Sequence, residues 1–139
     1  MAKIVLISCV SKKLQHKAKA RELYTSTLFT FNLAYARSLR PDAIFILSAK
    51  YGLLDLEQEI EPYDQTLNTM TAREKKTWAD GVANQMRDHI DFAQDDIIFL
   101  AGENYRKHLL PHLARVQVPL QGLGIGKQLR FLKEKLAYG

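Results

Sequence analysis

Apolar runs alternate with amphipathic stretches along this chain, and the alternation predicts its elements. Lys3 to Val10 (KIVLISCV) is a β-branched apolar run of the kind that forms a buried parallel strand. A polar stretch through Lys19 leads to Ala20-Arg21-Glu22-Leu23. Leu28, Phe31, Leu33, Ala34, Tyr35 and Leu39 then fall at helical spacing, with Ser26 as N-cap and Pro41 as terminator. A second strand, Ala43 to Leu47, breaks at Ser48 into sequence without a period of its own, which reads as an irregular loop to Leu67. Thr71 and Glu74 form a Thr-x-x-Glu capping box for a helix running to about Ile90, with Trp78, Val82, Met86 and Ile90 on one face. A third strand, Asp96 to Ala101, is followed by a helix over Tyr105 to Leu113. A fourth, Arg115 to Leu120, contains Pro119, which makes it an edge strand or marks its end. The last helix, Lys127 to Leu136, turns Leu129, Leu132 and Leu136 inward and Lys127, Arg130, Lys133 and Lys135 outward.

This order of strands and helices predicts an α/β fold: a single three-layer domain with a mainly parallel four-stranded sheet and helices on both faces, Rossmann-like, over residues 1–139. In such a sheet the ligand sits beyond the carboxyl ends of the strands. Four polar tips are expected there: Cys9 to Lys13, Ser48 to Gly52, Gly102 to Tyr105, and Gly122 to Lys127. No internal repeat, linker or low-complexity tract interrupts the pattern.

Composition narrows the partners. With 139 residues, 47% of them hydrophobic, the chain can bury a core, and its net charge of +5 favours an anionic partner such as nucleotide, nucleic acid or phosphate. One cysteine allows no internal disulfide, and no run approaches the roughly 18 apolar residues of a membrane span. Met1 to Val10 is too short and strand-like for a signal peptide, so a cytoplasmic protein with no membrane partner is expected.

The tips carry the candidate chemistry. Ser11, Lys12 and Lys13 offer a hydroxyl, backbone N–H groups and two ammonium groups to a phosphate, although the spacing of a P-loop is absent. Cys9 reads as a strand residue in preference to a thiolate activated by those lysines. Ser48, Lys50, Tyr51 and Gly52 supply a cation, an aromatic face and a flexible backbone point for a planar ligand that carries phosphate. Asp64, after Pro62-Tyr63 on the long loop, is the preferred general base, with Lys50 to neutralise charge and Glu103 and Glu61 as further carboxylates. Gly102 and Tyr105 close the third tip. Gly122, Gly124, Gly126 and Lys127 run into a helix N-terminus suited to an anion, without the spacing of a dinucleotide fold. His108 and His112 share a helix face, but no Cys/His cluster or His-Glu-x-x-His motif accompanies them, so no metal and no cofactor is expected.

The words Ser8-Cys9-x-Ser11-Lys12-Lys13, Ala20-Arg21-Glu22-Leu23-Tyr24-x-Ser26-x-x-Phe29, Leu47-Ser48-Ala49-Lys50-Tyr51-Gly52-Leu53, Pro62-Tyr63-Asp64 and the closing Gly-Leu-Gly-Ile-Gly-Lys together resemble an uncharacterised bacterial and phage domain family of unknown function. That family implies no activity. More loosely, the polar loops after successive strands look like the uracil-DNA glycosylase superfamily and related domains of archaeal tRNA-base modification enzymes. The Gly-Gln-Asp-Pro-Tyr-His and His-Pro-Ser motifs of the glycosylases are absent, so their residue roles do not transfer, and what the likeness implies is a nucleobase or nucleotide pocket at the strand ends. The expected function is an enzyme acting on a nucleotide or on a base within nucleic acid, cleaving or exchanging an N-glycosidic bond. Its rivals are a non-catalytic nucleic-acid-binding module that uses the basic last helix, an enzyme on free nucleotides or sugar phosphates, and a partner-dependent subunit of a phage-defence or modification system.

Overall fold

A computed structural model of the chain describes residues 1–8 and 12–138. The elements, in chain order, are β1 (Lys3–Ser8), β2 (Ala18–Lys19), α1 (Ala20–Leu23), α2 (Thr27–Ser38), β3 (Ala43–Ser48), β4 (Gly52–Asp55), β5 (Glu59–Ile60), α3 (Ala72–Met86), β6 (Asp96–Leu100), α4 (Glu103–Arg106), β7 (Val116–Gln117) and α5 (Ile125–Tyr138). Short 3-10 turns occupy Leu67–Thr69 and Leu110–His112.

The expected α/β class holds, but the sheet is mixed and has five strands, not four, in the order β4-β3-β1-β6-β7. β1 pairs in parallel with β3 on one side and β6 on the other, and β6 with β7, whereas β4 runs antiparallel to β3. The added strand lies in the stretch expected to be an irregular loop. Gly52, at φ 75°, reverses the chain directly after β3, and Leu53 and Leu54 bury themselves beside Leu47 and Ile46. Two adjacent buried leucines carry no alternation, so the strand has no period to read. β5 lies in the same stretch and pairs antiparallel with β2, apart from the main sheet.

The local signals perform as their chemistry dictates. The Ser26 hydroxyl accepts the Phe29 N–H at the start of α2, and the Thr71–Glu74 capping box closes in both directions. α2 ends where Arg40 takes the left-handed conformation, φ 52°, ahead of Pro41. α3 stops at Met86, short of Ile90, which is still buried under the turn that follows. The helix expected over Tyr105 to Leu113 is divided between α4 and the 3-10 turn, because Pro111 has no N–H to continue an α-helical ladder. The fourth expected strand shrinks to the two residues of β7 at the sheet edge, ahead of Pro119.

Ile4 to Ile7, Phe45 to Leu47 and Ile97 to Leu100 form the buried centre. α2 packs on β1 and α5, and α3 on β4. Glu57 bridges Lys19 (3.2 Å) and Arg21 (2.9 Å), tying the turn between β4 and β5 to β2 and α1. The hydrogen bond from Lys19, with help from Arg21, holds the Glu57 carboxyl below its ordinary pKa.

Candidate functional site

The connection leaving β1 runs to β3 on one side and the connection leaving β6 runs to β7 on the other, so a crevice opens beyond the ends of β1 and β6. A cavity of about 680 Å³ lies there. Ser8 and Leu100 to Arg106 form its floor and one wall, the beginning of α2 (Ser26 to Phe29, with Asn32 one turn on) a second, and Gly122, Leu123, Ile125, Gln128 and Leu129 a third. The two strand tips are joined: the Gly102 N–H donates to Ser8 Oγ at 3.1 Å.

Four primary amides line this cavity, and three are oriented by their neighbours. Lys75 Nζ donates to Asn104 Oδ1 (3.1 Å), and Asn104 Nδ2 to Asn68 Oδ1 (2.7 Å), while Gln128 Nε2 donates to the Leu123 carbonyl (2.8 Å). Arg106 Nη1 is held by the Ala101 carbonyl at 2.7 Å. The fourth amide, Asn32, is only 3% exposed, and its Oδ1 accepts no hydrogen bond among the described residues. An unmet buried acceptor costs a fold on the order of 1–3 kcal/mol. Tyr105, also in the wall, is buried edge-on to Trp78 (5.7 Å between centroids), with its hydroxyl receiving the Leu67 N–H.

A second concavity, a groove of about 590 Å³, is lined by Lys12, Lys13, Leu14, Gln15, Pro62, Tyr63 and Asp64. Two ammonium groups and one carboxylate thus face each other across a few side chains. Lys13 Nζ lies 4.5 Å from the Tyr63 ring centroid, a cation–π geometry that fixes the lysine beside the aromatic wall. Packed rings connect the two concavities. Phe29, in the cavity wall, contacts Tyr24 (5.2 Å), and the Tyr24 hydroxyl is 2.6 Å from that of Tyr63 in the groove.

The remaining tip, after β3, turns Ser48, Ala49 and Gly52 inward and leaves Lys50 exposed. Ser48 is fully buried; its hydroxyl donates to Tyr63 Oη (2.8 Å) and accepts the Tyr51 N–H (3.0 Å), and its carbonyl accepts from Trp78 Nε1 (2.9 Å). Tyr51 packs edge-on against Tyr63, and Lys50 Nζ lies 5.3 Å from the Tyr51 ring centroid. Neither Lys50 nor Tyr51 lines the groove or the cavity. Gly52 is buried, and a Cβ there would run into the Gln85 side chain.

The expected site residues therefore divide. Lys12, Lys13, Tyr63 and Asp64 gather in the groove, and Gly102, Glu103 and Tyr105 at the cavity. Gly124 and Gly126 lie at the exposed start of α5, where the Gly124 carbonyl accepts the first helical N–H, and Lys127 is exposed one residue further. Ser11 and Cys9 lie outside the described residues. His108 is half-buried, the His112 ring packs edge-on to Phe92, and among the described residues no three His, Cys, Asp or Glu side chains converge as metal ligands. Among the described residues, no helix is long and apolar enough to cross a membrane.

Asn32, Asn68, Asn104 and Gln128 did not stand out in the sequence. Asn32 and Gln128 sit inside amphipathic helices, where a single amide reads as an interruption, and Asn68 and Asn104 become neighbours only through the packing of the Leu67–Thr69 turn on α4. Asn104 does lie within the expected tip Gly102 to Tyr105, and Asn32 falls among Phe29, Leu33 and Ala36 on the buried face of α2.

Fold and site together define an α/β domain with an amide-lined cavity at the carboxyl ends of its central strands. The chain belongs to a family of unknown function (DUF6884), whose model matches residues 4–134. No curated protein matches it.

Proposed function

We propose that the protein is an enzyme acting on a nucleotide, free or within nucleic acid, with the base in the cavity, the phosphate at Lys12 and Lys13, and the reaction at the N-glycosidic bond between them. The observation that carries this reading is the pairing of an amide-lined cavity with a dilysine groove at the two ends of one short segment, residues 9–11. Ser8 belongs to the first and Lys12 to the second. Amides beside apolar walls suit a base, since they meet its edge with hydrogen bonds while its faces stay dry. Ammonium groups on a strand-end loop suit phosphate.

The same reading favours a Rossmann-like, three-layer arrangement. The chain steps one way from β1 to β3 and the other way from β3 to β6, so right-handed crossovers put α2 and α3 on opposite faces. A cytoplasmic home fits a nucleotide substrate.

In hydrolysis, water oxygen bonds to the anomeric carbon as the carbon–nitrogen bond breaks. The base leaves with the bonding pair and takes up a proton, and the sugar passes through oxocarbenium-like charge. This reading assigns roles to two carboxylates: Glu103, which lines the cavity, would steady that charge, and Asp64, which lines the groove, would orient water. The test is mass spectrometry of bases released from mixed nucleic acids and nucleotides. Wild type should release a base, and Asp64→Asn or Glu103→Gln should lower turnover at least 100-fold with ligand affinity within several-fold. Full activity in both variants would remove the two carboxylates from the chemistry.

A binding-only reading draws on α5, whose Lys127, Arg130, Lys133 and Lys135 are all exposed. Affinity for nucleic acid that falls steeply with salt and ignores both carboxylate variants would favour it.

A further inference from the structure

The charge of this protein is not spread evenly. α2 and α5 pack on each other, with the Tyr35 and Phe131 rings 6.0 Å apart, and together they carry Arg37, Lys127, Arg130, Lys133 and Lys135 against the single carboxylate of Glu134. Most of the chain's net charge of +5 therefore resides on these two helices. All five cations are exposed, and among the described residues none of them is ion-paired. α3 differs: it interleaves Arg73, Lys75 and Lys76 with Glu74 and Asp80, and Lys76 is spent on Asp80 at 3.4 Å.

The basic layer begins where the cavity does. Ser26 to Phe29 at the start of α2 and Ile125, Gln128 and Leu129 at the start of α5 are cavity wall. From there Lys127, Arg130 and Lys133 follow at steps of three residues, about 4.5 Å of helix rise each, and lead away from the cavity. The cavity is thus bordered by two sets of cations, this row and the dilysine groove beyond Ser8. A free mononucleotide carries phosphate on one side of its sugar and needs one such set, whereas a nucleotide within a strand carries a phosphate on each side. Ile125, 68% exposed on the rim, adds an apolar surface on which a neighbouring base can pack. A lipid surface fits less well, because among the described residues no large apolar side chain of α2 or α5 other than Ile125 is exposed to enter it.

We infer that the α2–α5 layer is a polynucleotide-binding surface continuous with the cavity, with Lys127, Arg130 and Lys133 taking phosphates next to the bound base, so that the substrate is a nucleotide within a strand. This rests on the base-in-cavity reading above and narrows it from nucleotides at large to a polymer.

The test is fluorescence anisotropy with a labelled single strand of about a dozen nucleotides, DNA and RNA in turn, beside titrations with the four 5′-mononucleotides. Wild type should bind one of the strands at least tenfold tighter than any mononucleotide. Combining Lys127→Gln, Arg130→Gln and Lys133→Gln should lower the slope of log affinity against log salt by about 2, since each neutralised phosphate of a single strand contributes about 0.7. Mononucleotide affinity and melting temperature should stay at wild-type values. Lys12→Gln with Lys13→Gln should weaken both kinds of ligand, and Arg73→Gln on α3 neither. Mononucleotides bound as tightly as the strands, or a strand slope unchanged in the triple variant, would overturn the inference and leave the base-in-cavity reading standing. So would capture by phosphatidylglycerol vesicles in place of the strands. Strand binding that needs the three cations but releases no base would uphold the surface and overturn the enzyme reading, and binding of neither strand nor mononucleotide would overturn both.

Discussion

Gly52 shows how much one residue can hold at the end of β3. Its φ of 75° costs an L-residue roughly 1–2 kcal/mol, and the space a Cβ would need is taken by Gln85. That amide is not idle: Gln85 Oε1 accepts the Leu53 N–H (2.9 Å) and Nε2 donates to the Tyr51 carbonyl (3.3 Å), so both flanks of the turn hang on it. Gly52→Ala should therefore cost about 2–4 kcal/mol, the sum of backbone strain and a displaced hydrogen-bond pair, read as a lower midpoint in urea. A midpoint unchanged within error would mean that the turn relaxes and Gln85 finds new partners. The sequence points at this glycine as a place of backbone freedom, but not at the reason, because Gln85 lies 33 positions away on another element. Asn32 is the opposite case. Its place on a buried helix face is visible in the spacing, whereas its unmet oxygen and its cavity exist only once α5 and β6 are in place.

Between elements, Asp95 joins the start of β1 to the start of β6. Its carboxylate accepts the N–H of Ala2 and of Asp91, each at 2.8 Å, at 8% exposure. The Ala2 bond and then the Asp91 bond hold its pKa below the ordinary 3.8. A pKa lowered by folding stabilises the protein fully above 3.8, and that stability is lost as pH falls through the folded value. Denaturation midpoints measured between pH 5 and 2 should drop more steeply for wild type than for Asp95→Asn, whereas at neutral pH the variant should be about 1–2 kcal/mol less stable. Parallel slopes would show that the carboxylate is not charged in those bonds. The same scale explains which elements were legible. α2 and α3 announce themselves through Ser26 and the Thr71–Glu74 pair, whose partners lie within three residues. β4 and α4 do not, since one is defined by its pairing with β3 and the other is cut short by Pro111 downstream.

For the whole molecule, the decisive feature is that β1 is the middle strand. The alternation of elements made a parallel sheet legible, but not the strand order, which depends on contacts between residues 3–8, 43–48 and 96–100. That order brings the tips of β1 and β6 together at the cavity and leaves the tip of β3 to brace the groove through Ser48 and Tyr63. It also separates the two candidate carboxylates, Glu103 and Asp64, which the sequence alone placed along one edge. The position of β1 has a further consequence for how the protein is made. On the ribosome its first strand emerges before either neighbour, and β6 follows only after some ninety residues, so the growing chain holds a half-built sheet with one hydrogen-bonding edge of β1 open. A fragment ending at Gln94 should form the β1, β3 and β4 portion and self-associate through that edge, seen as light scattering that addition of the Asp96–Leu100 peptide suppresses. A monodisperse fragment would show that β1 stays unstructured until its second neighbour is synthesised.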